Sequence, residues 1–302
     1  MQQSRQPLPR AGRVGVEIEV GGVTVDEAAS VCAEVLGGTV DHVSTYAREV
    51  ETRHGTFRLE LDSSMLQSWG ERLDEASLGA RMLEAVATEA VPTEIVSPPL
   101  DRGDLERLDD LCRALRAAGA RGTGDGLRWA LGVHFNPELD PVVPEDITHH
   151  LQAFCVLYDH LKKRGDTDIS RELSPFIEPY PEAYVALVLS DAYAPSLDRL
   201  VADYLHHNPT RNRALDMLPM MKHLRPQPVE ATLPDEKIKA RPTFHYRLAN
   251  CAIERDDWSI VNEWVAWVAI ETLAHDPERL HAARRGHLRK DTDRPWLAQV
   301  LF

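Results

Sequence analysis

The sequence predicts an α+β fold: a largely antiparallel sheet flanked by helices, with the chemistry on one sheet face. Three observations carry this. Short segments of alternating apolar and polar residues recur from residue 13 to residue 248, the period of a strand with two unlike faces. Helical periodicities lie between them and dominate the middle of the chain. Turn-forming pairs separate neighbouring strands closely enough for hairpins, which favours antiparallel pairing.

Arg13–Val20 is the first strand. Its "GVEIEV" puts Val14, Val16, Ile18 and Val20 on one face and Glu17 and Glu19 on the other. Val25–Leu36 is a helix, opened near Thr24 and closed by Gly37-Gly38. Val40–Glu51 and Thr56–Asp62 read as strands joined across His54-Gly55. Arg72–Ala90 is a helix, Thr93–Val96 a short strand and Leu105–Ala118 a helix ending at Gly119. Leu127–Phe135 is a strand. Glu145–Arg164, Pro181–Leu189, Ser196–His206 and about Arg213–His223 are helices, making a helical insertion at about 145–223. Leu224–Pro242 carries Pro226, Pro228, Pro234 and Pro242, which predicts a long loop and a candidate lid over a site. Thr243–Leu248 is the last strand, and Asp256–Ala274 a helix whose Trp264 and Trp267 read as core.

The 302 residues carry 43% hydrophobic and 27% charged side chains, enough for a sizeable core. The formal charge of −14 argues against nucleic acid or an anionic membrane as partner. Cys32, Cys112, Cys155 and Cys251 are far apart without metal-ligand spacing. They read as buried free thiols, fitting a reducing, cytoplasmic location. Residues 1–12 lack the apolar run of a signal peptide and read as a disordered arm ahead of one catalytic domain, 13–302. No apolar run approaches the ~18 residues of a membrane span.

Two adjacent carboxylates on one face repel unless a cation lies between them. "VEIEV" is also what a strand with one wet face shows, so other strands must be compared with it. "FRLELD" groups Arg58, Glu60 and Asp62; "LGVHFNP" groups His134 and Asn136; "TFHYRL" groups His245 and Arg247; Glu94 opens "TEIVSPP". Brought onto one sheet face, these residues offer carboxylate oxygens and imidazoles to Mg²⁺ or Mn²⁺, with an arginine to meet phosphate. No Walker-type phosphate loop is present, and "RGTGDGLRW" reads as a turn. Asp62, Ser63 and Ser64 form either a turn or a substrate loop. Lys237, Lys239 and Arg241 are a solvated loop or a nucleotide lid. His149-His150 read as structural.

The order of "GVEIEV", "LDSS", "TEIVSPPL", "LGVHFNP" and "RPTFHYRLAN", spanning Gly15 to Asn250, resembles the amidoligase family. That family belongs to the carboxylate–amine ligase superfamily of glutamine synthetase and γ-glutamylcysteine synthetase. The resemblance implies a glutamine synthetase-like catalytic fold that uses ATP with Mg²⁺ or Mn²⁺. The implied reaction joins a small-molecule or peptide carboxylate to an amine through an acyl phosphate. It implies that Glu17, Glu19, Glu94 and His134 hold metal and that Arg247 contacts the transferred phosphate. Glu94 is alternatively a substrate carboxylate, and Asp62 falls in the substrate loop. Two positions depart from the superfamily pattern. Asn136 stands where a second histidine of H-x-H is common, a nucleotide contact. His245 stands where a glutamate of E-x-R is common, a metal ligand. An amide hydrolase using the same acidic face, or a ligand-binding homologue without turnover, are the alternatives.

Overall fold

The computed structural model describes residues 12–61, 91–123, 131–164 and 177–289. Among them, nine strands join one antiparallel sheet. They are β1 (Arg13–Val20), β2 (Thr39–Ser44), β3 (Ala47–Thr52), β4 (Gly55–Leu61), β5 (Thr93–Val96), β6 (Leu100–Asp101), β7 (Gly132–Pro137), β8 (Leu215–Asp216) and β9 (His245–Asn250). Their order across the sheet is β2-β3-β4-β5-β1-β7-β9-β8, with β6 pairing the start of β1. The opening strand therefore lies near the middle, between two strands far from it in sequence.

The faces of β1 divide as its alternation requires. Val14, Val16, Ile18 and Val20 are at most 1% exposed, each burial contributing about 1.5–3 kcal/mol. Helices cover this face. Trp264 meets Phe135 edge-on at 5.2 Å, and Trp267 meets Tyr246 at 5.9 Å, both from the Ile260–Ala274 helix. These tryptophans are core, as predicted. Phe154 of the Pro144–Arg164 helix packs on Tyr246 from the same side.

One buried ion pair ties the sheet to that helical layer. Arg102, in a short 3-10 turn after β6, donates from Nη1 to Glu271 Oε2 at 2.7 Å and from Nη2 to Oε1 at 2.6 Å. Its guanidinium lies 5.3 Å from the Trp264 ring centroid. Both residues are under 9% exposed, so the pair uses the bidentate geometry that offsets desolvation best.

The Val25–Leu36 helix forms as predicted. Thr24 accepts the Glu27 N–H while the Glu27 carboxylate accepts the Thr24 N–H, and Gly37 closes it at φ 71°. All four cysteines are buried and free. Gly122 has no room for a side chain, since a Cβ there would stand 1.9 Å from the Cys251 carbonyl oxygen. That close approach lets Thr123 N–H bond the same carbonyl at 2.9 Å and dock the turn onto the end of β9.

Three predicted elements differ, and one helix was not predicted. Val40–Glu51 is two strands, β2 and β3, folded back at Thr45-Tyr46; β2 is exposed apart from the half-buried Val40, so no continuous buried face marked its end. The helix expected over Arg213–His223 starts at Leu218, because Leu215–Asp216 pairs with β9 instead. The predicted loop Leu224–Pro242 contains a helix, Pro226–Thr232. Its prolines fall in the first turn, where no N–H is needed. A further helix, Pro277–Leu288, follows the Ile260–Ala274 helix. The predicted Arg72–Ala90 helix, residues 1–11 and the start of the Leu127–Phe135 strand lie outside the described residues. Among the described residues, no helix is long and apolar enough to cross a membrane.

Candidate metal and phosphate site

The sheet face opposite the Val14–Val16–Ile18–Val20 core gathers the polar residues of β4, β5, β1, β7, β9 and β8. Register decides which meet. Glu60 pairs Glu94, and Glu94 pairs Glu19, so three carboxylates run in one row across β4, β5 and β1. In the next row Glu17 pairs His134 of β7. Beyond β7 the register slips: Arg247 and Leu248 of β9 together oppose His134, between the Val133–Ala249 and Phe135–Tyr246 pairs. This bulge re-aims the β9 side chains at the site. His245 pairs Asp216 of β8.

Glu17 and Glu19 do not belong to a wet strand. Their side chains are 12% and 16% exposed. Glu17 Oε1 accepts from Asn136 Nδ2 at 2.9 Å, and Oε2 lies 3.1 Å from His134 Nδ1 and 3.6 Å from His245 Nε2. Glu19 Oε2 accepts the Gly132 N–H at 2.7 Å, while Oε1 stands 3.7 Å from His134 Nε2. Two groups result, each with one ligand atom per residue inside 4.8 Å: Glu17, His134 and His245; and Glu19, Glu94 and His134. His134 lies between them, one ring nitrogen toward each. A neutral imidazole has one lone pair, so it serves one group at a time and donates its N–H to the other.

Burial works against the Glu17 carboxylate, yet the neighbouring imidazoles and the hydrogen bonds from His134 and Asn136 hold its carboxyl well below the usual range. His245 goes the other way. Burial and the Arg247 charge push it well below the usual histidine range against the pull of Glu17, so it is neutral at neutral pH. With His245 neutral, the hydrogen bonds from His134 and Asn136 are what keep Glu17 ionised there. His245 Nε2 is buried and has no hydrogen-bond partner among the described residues. A neutral imidazole nitrogen facing a carboxylate, without a proton shared between them, suits a cation better than it suits packing.

Each predicted site residue can now be placed. Glu17, Glu19, Glu94, His134 and His245 converge. Arg247 is 8% exposed on the same face, with Nη2 3.5 Å from Asp216 Oδ2. Asn136 orients Glu17. Asp62 lies outside the described residues, and Glu60 is the β4 carboxylate brought into the row. Lys239 and Arg241 are exposed on the loop before β9, and Lys237 is half-buried there, its N–H donating to Asp235 Oδ1 at 2.8 Å. Ser97, on the strand that "SPP" ends, donates to the Pro98 carbonyl oxygen and accepts the Val16 N–H at 2.8 Å, bracing β1 from its edge.

Two residues were missed. Asp216 is 3% exposed and faces Arg247. Arg211, 3.4 Å from Asp235, adds positive charge felt by both Asp216 and His245. The missed signal for Asp216 was an Asp just ahead of Leu218-Pro219, which starts a helix rather than continuing one.

A family model described as "Putative amidoligase enzyme" matches residues 10–269. No curated protein and no solved structure matches the chain.

Proposed function

Because the chain belongs to the amidoligase family, we propose that it is an ATP-dependent carboxylate–amine ligase acting through an acyl phosphate on Mg²⁺ or Mn²⁺. The observation that carries this reading is the convergence of Glu17, Glu19, Glu94, His134 and His245, with ligand atoms inside 4.8 Å in two groups and His245 Nε2 buried without a hydrogen-bond partner among the described residues. Carboxylate oxygens with one or two imidazoles are the donors that these cations accept. A cation held by these residues would supply positive charge against the phosphates, which would otherwise repel an incoming carboxylate.

The remaining work falls to the chain itself. Glu17, kept ionised by His134 and Asn136, and Glu19, fixed by the Gly132 N–H, hold their oxygens in place before any ligand arrives. Arg247 meets the phosphoryl group in transfer with a planar two-pronged donor set. The substrate carboxylate oxygen attacks the γ-phosphorus of ATP, the bond to ADP breaks, and an acyl phosphate forms. The amine nitrogen then attacks the acyl carbon, phosphate leaves, and the amine proton is lost. Water has to be kept from the acyl phosphate. The segment 224–242 beside β9, with Lys237, Lys239 and Arg241, is the lid and nucleotide contact in this reading.

The test is an ADP-release screen over amino acids, peptides and cell-wall fragments as carboxylates and over amines including polyamines, with Mg²⁺ and Mn²⁺ in parallel. A ligase sustains multiple turnovers of ADP formation only when carboxylate and amine are both present, the carboxylate alone giving at most a single burst. Amide cleavage without nucleotide would make it a hydrolase. A ligand-induced rise in Tm without turnover of any pair would make it a binding protein.

A further inference from the structure

Asp216 has no role in the reaction as described so far, yet its surroundings are specific. It lies on the two-residue β8, opposite His245, and is 3% exposed. Its two oxygens are engaged differently. Oδ1 accepts the Leu218 N–H at 2.9 Å, which anchors the side chain where the Leu218–Leu224 helix begins. Oδ2 stands 3.5 Å from Arg247 Nη2. The same short segment also fixes the Arg247 backbone, whose N–H donates to the Ala214 carbonyl at 2.9 Å.

An arginine side chain loses up to about 2 kcal/mol of rotamer freedom when ordered. A carboxylate already fixed by a backbone N–H can impose that order before substrate arrives. Accepting the Leu218 N–H needs only Oδ1 and no charge, so that bond alone does not explain a carboxylate shut away from water against a guanidinium. We infer that Asp216 is a positioning residue: it holds the Arg247 guanidinium against the site face so that a phosphoryl group meets a pre-set donor. The inference rests on the ligase reading for what Arg247 does, but not for how Arg247 is held.

Asp216→Asn separates the two roles. It keeps size and the Oδ1 acceptor and removes the charge toward Arg247. The measurement is guanidinium NMR on the full chain labelled with ¹⁵N-arginine, with the Arg247 signal assigned by its loss in Arg247→Lys, alongside kcat and KM for ADP formation. We expect rotation about the Arg247 Nε–Cζ bond to be slow in wild type and faster in Asp216→Asn. We expect kcat to fall on the order of 100-fold with little change in the KM for ATP. The double variant Asp216→Asn/Arg247→Lys should be no slower than Arg247→Lys alone. An unchanged Arg247 signal in Asp216→Asn overturns the inference whatever the activity. A freed guanidinium with wild-type kcat overturns it as well. A wild type that forms ADP with no substrate pair overturns the ligase reading, while the NMR still decides how Arg247 is held. Should Asp216→Asn not fold, Asp216→Asn/Arg247→Gln removes both charges together. Recovered folding then supports the coupling, and continued misfolding overturns it.

Discussion

Two buried charged constellations lie on opposite faces of the same sheet, and they are built on different rules. On the helix-covered face, Arg102 and Glu271 match one cation to one anion, with both carboxylate oxygens taken by guanidinium donors at 2.6 and 2.7 Å. On the other face, Glu17, Glu19 and Glu94 face His134 and His245, and His245 Nε2 has no hydrogen-bond partner among the described residues. The first is closed: its charges satisfy each other. The second sets several carboxylates against two imidazoles, with ligand atoms grouped inside 4.8 Å on either side of His134. Burial alone marks both, so the two are told apart by donor type: guanidinium matched to carboxylate in the first, several atoms of metal-binding kind in the second.

If the open cluster is a ligand site, removing its charge should cost function and spare the fold. Glu17→Gln and Glu19→Gln should each abolish detectable ADP formation in a chain that still folds; thermal melts should show Glu17→Gln somewhat less stable, because the folded site favours the ionised carboxylate. Full activity in either variant would remove that glutamate from the active site.

The closed pair predicts the opposite. Glu271→Gln leaves Arg102 buried without its counter-charge and should lower unfolding free energy by about 3–5 kcal/mol. Turnover per folded molecule should stay at the wild-type value. Urea melts beside active-fraction-corrected rates check both halves.

Arg247 sharpens the contrast, since it is ion-paired yet lies on the open face. Arg247→Lys keeps a charge near Asp216 but loses the planar fork, so kcat should fall on the order of 100-fold with a much smaller rise in the KM for ATP. A change confined to KM would reassign Arg247 to ground-state nucleotide binding.

The smallest effect belongs to a buried group outside both clusters. His150 stacks on Phe244 and Trp267, and burial lowers its pKa against the hydrogen bond to the Asp146 carbonyl. The folded state thus prefers the neutral ring, while the unfolded chain takes up a proton near ~6.5. The stability this contributes is complete above that pH. It is lost as pH falls below it, by at most about 1.4 kcal/mol per pH unit. His150→Phe should flatten the stability profile between pH 6.5 and 5, and an unchanged slope would place the acid sensitivity elsewhere.

The sequence made half of this comparison legible. Alternation in "GVEIEV" and "TFHYRL" assigned Glu17, Glu19, His245 and Arg247 to polar faces, and the β1 core face followed with it. Alternation carries no register, so the Glu60–Glu94–Glu19 row and the Glu17–His134 pairing needed the strand order, in which β1 sits between β5 and β7. Asp216 was illegible by alternation because a two-residue strand has no period. The Pro226–Thr232 helix was hidden because proline signals a break in a helix interior but is tolerated in its first turn. Arg102 and Glu271 are 169 residues apart, and nothing local distinguishes either from a surface charge.

The central claim is that the open cluster binds divalent metal, and a Mn²⁺ titration followed by electron paramagnetic resonance tests it without needing the substrates. Wild type and Glu271→Gln, the latter held below its melting range, should bind Mn²⁺ alike. Glu17→Gln and Glu19→Gln should each weaken binding by roughly 10- to 100-fold. Equal Mn²⁺ affinity in all four proteins would contradict the account.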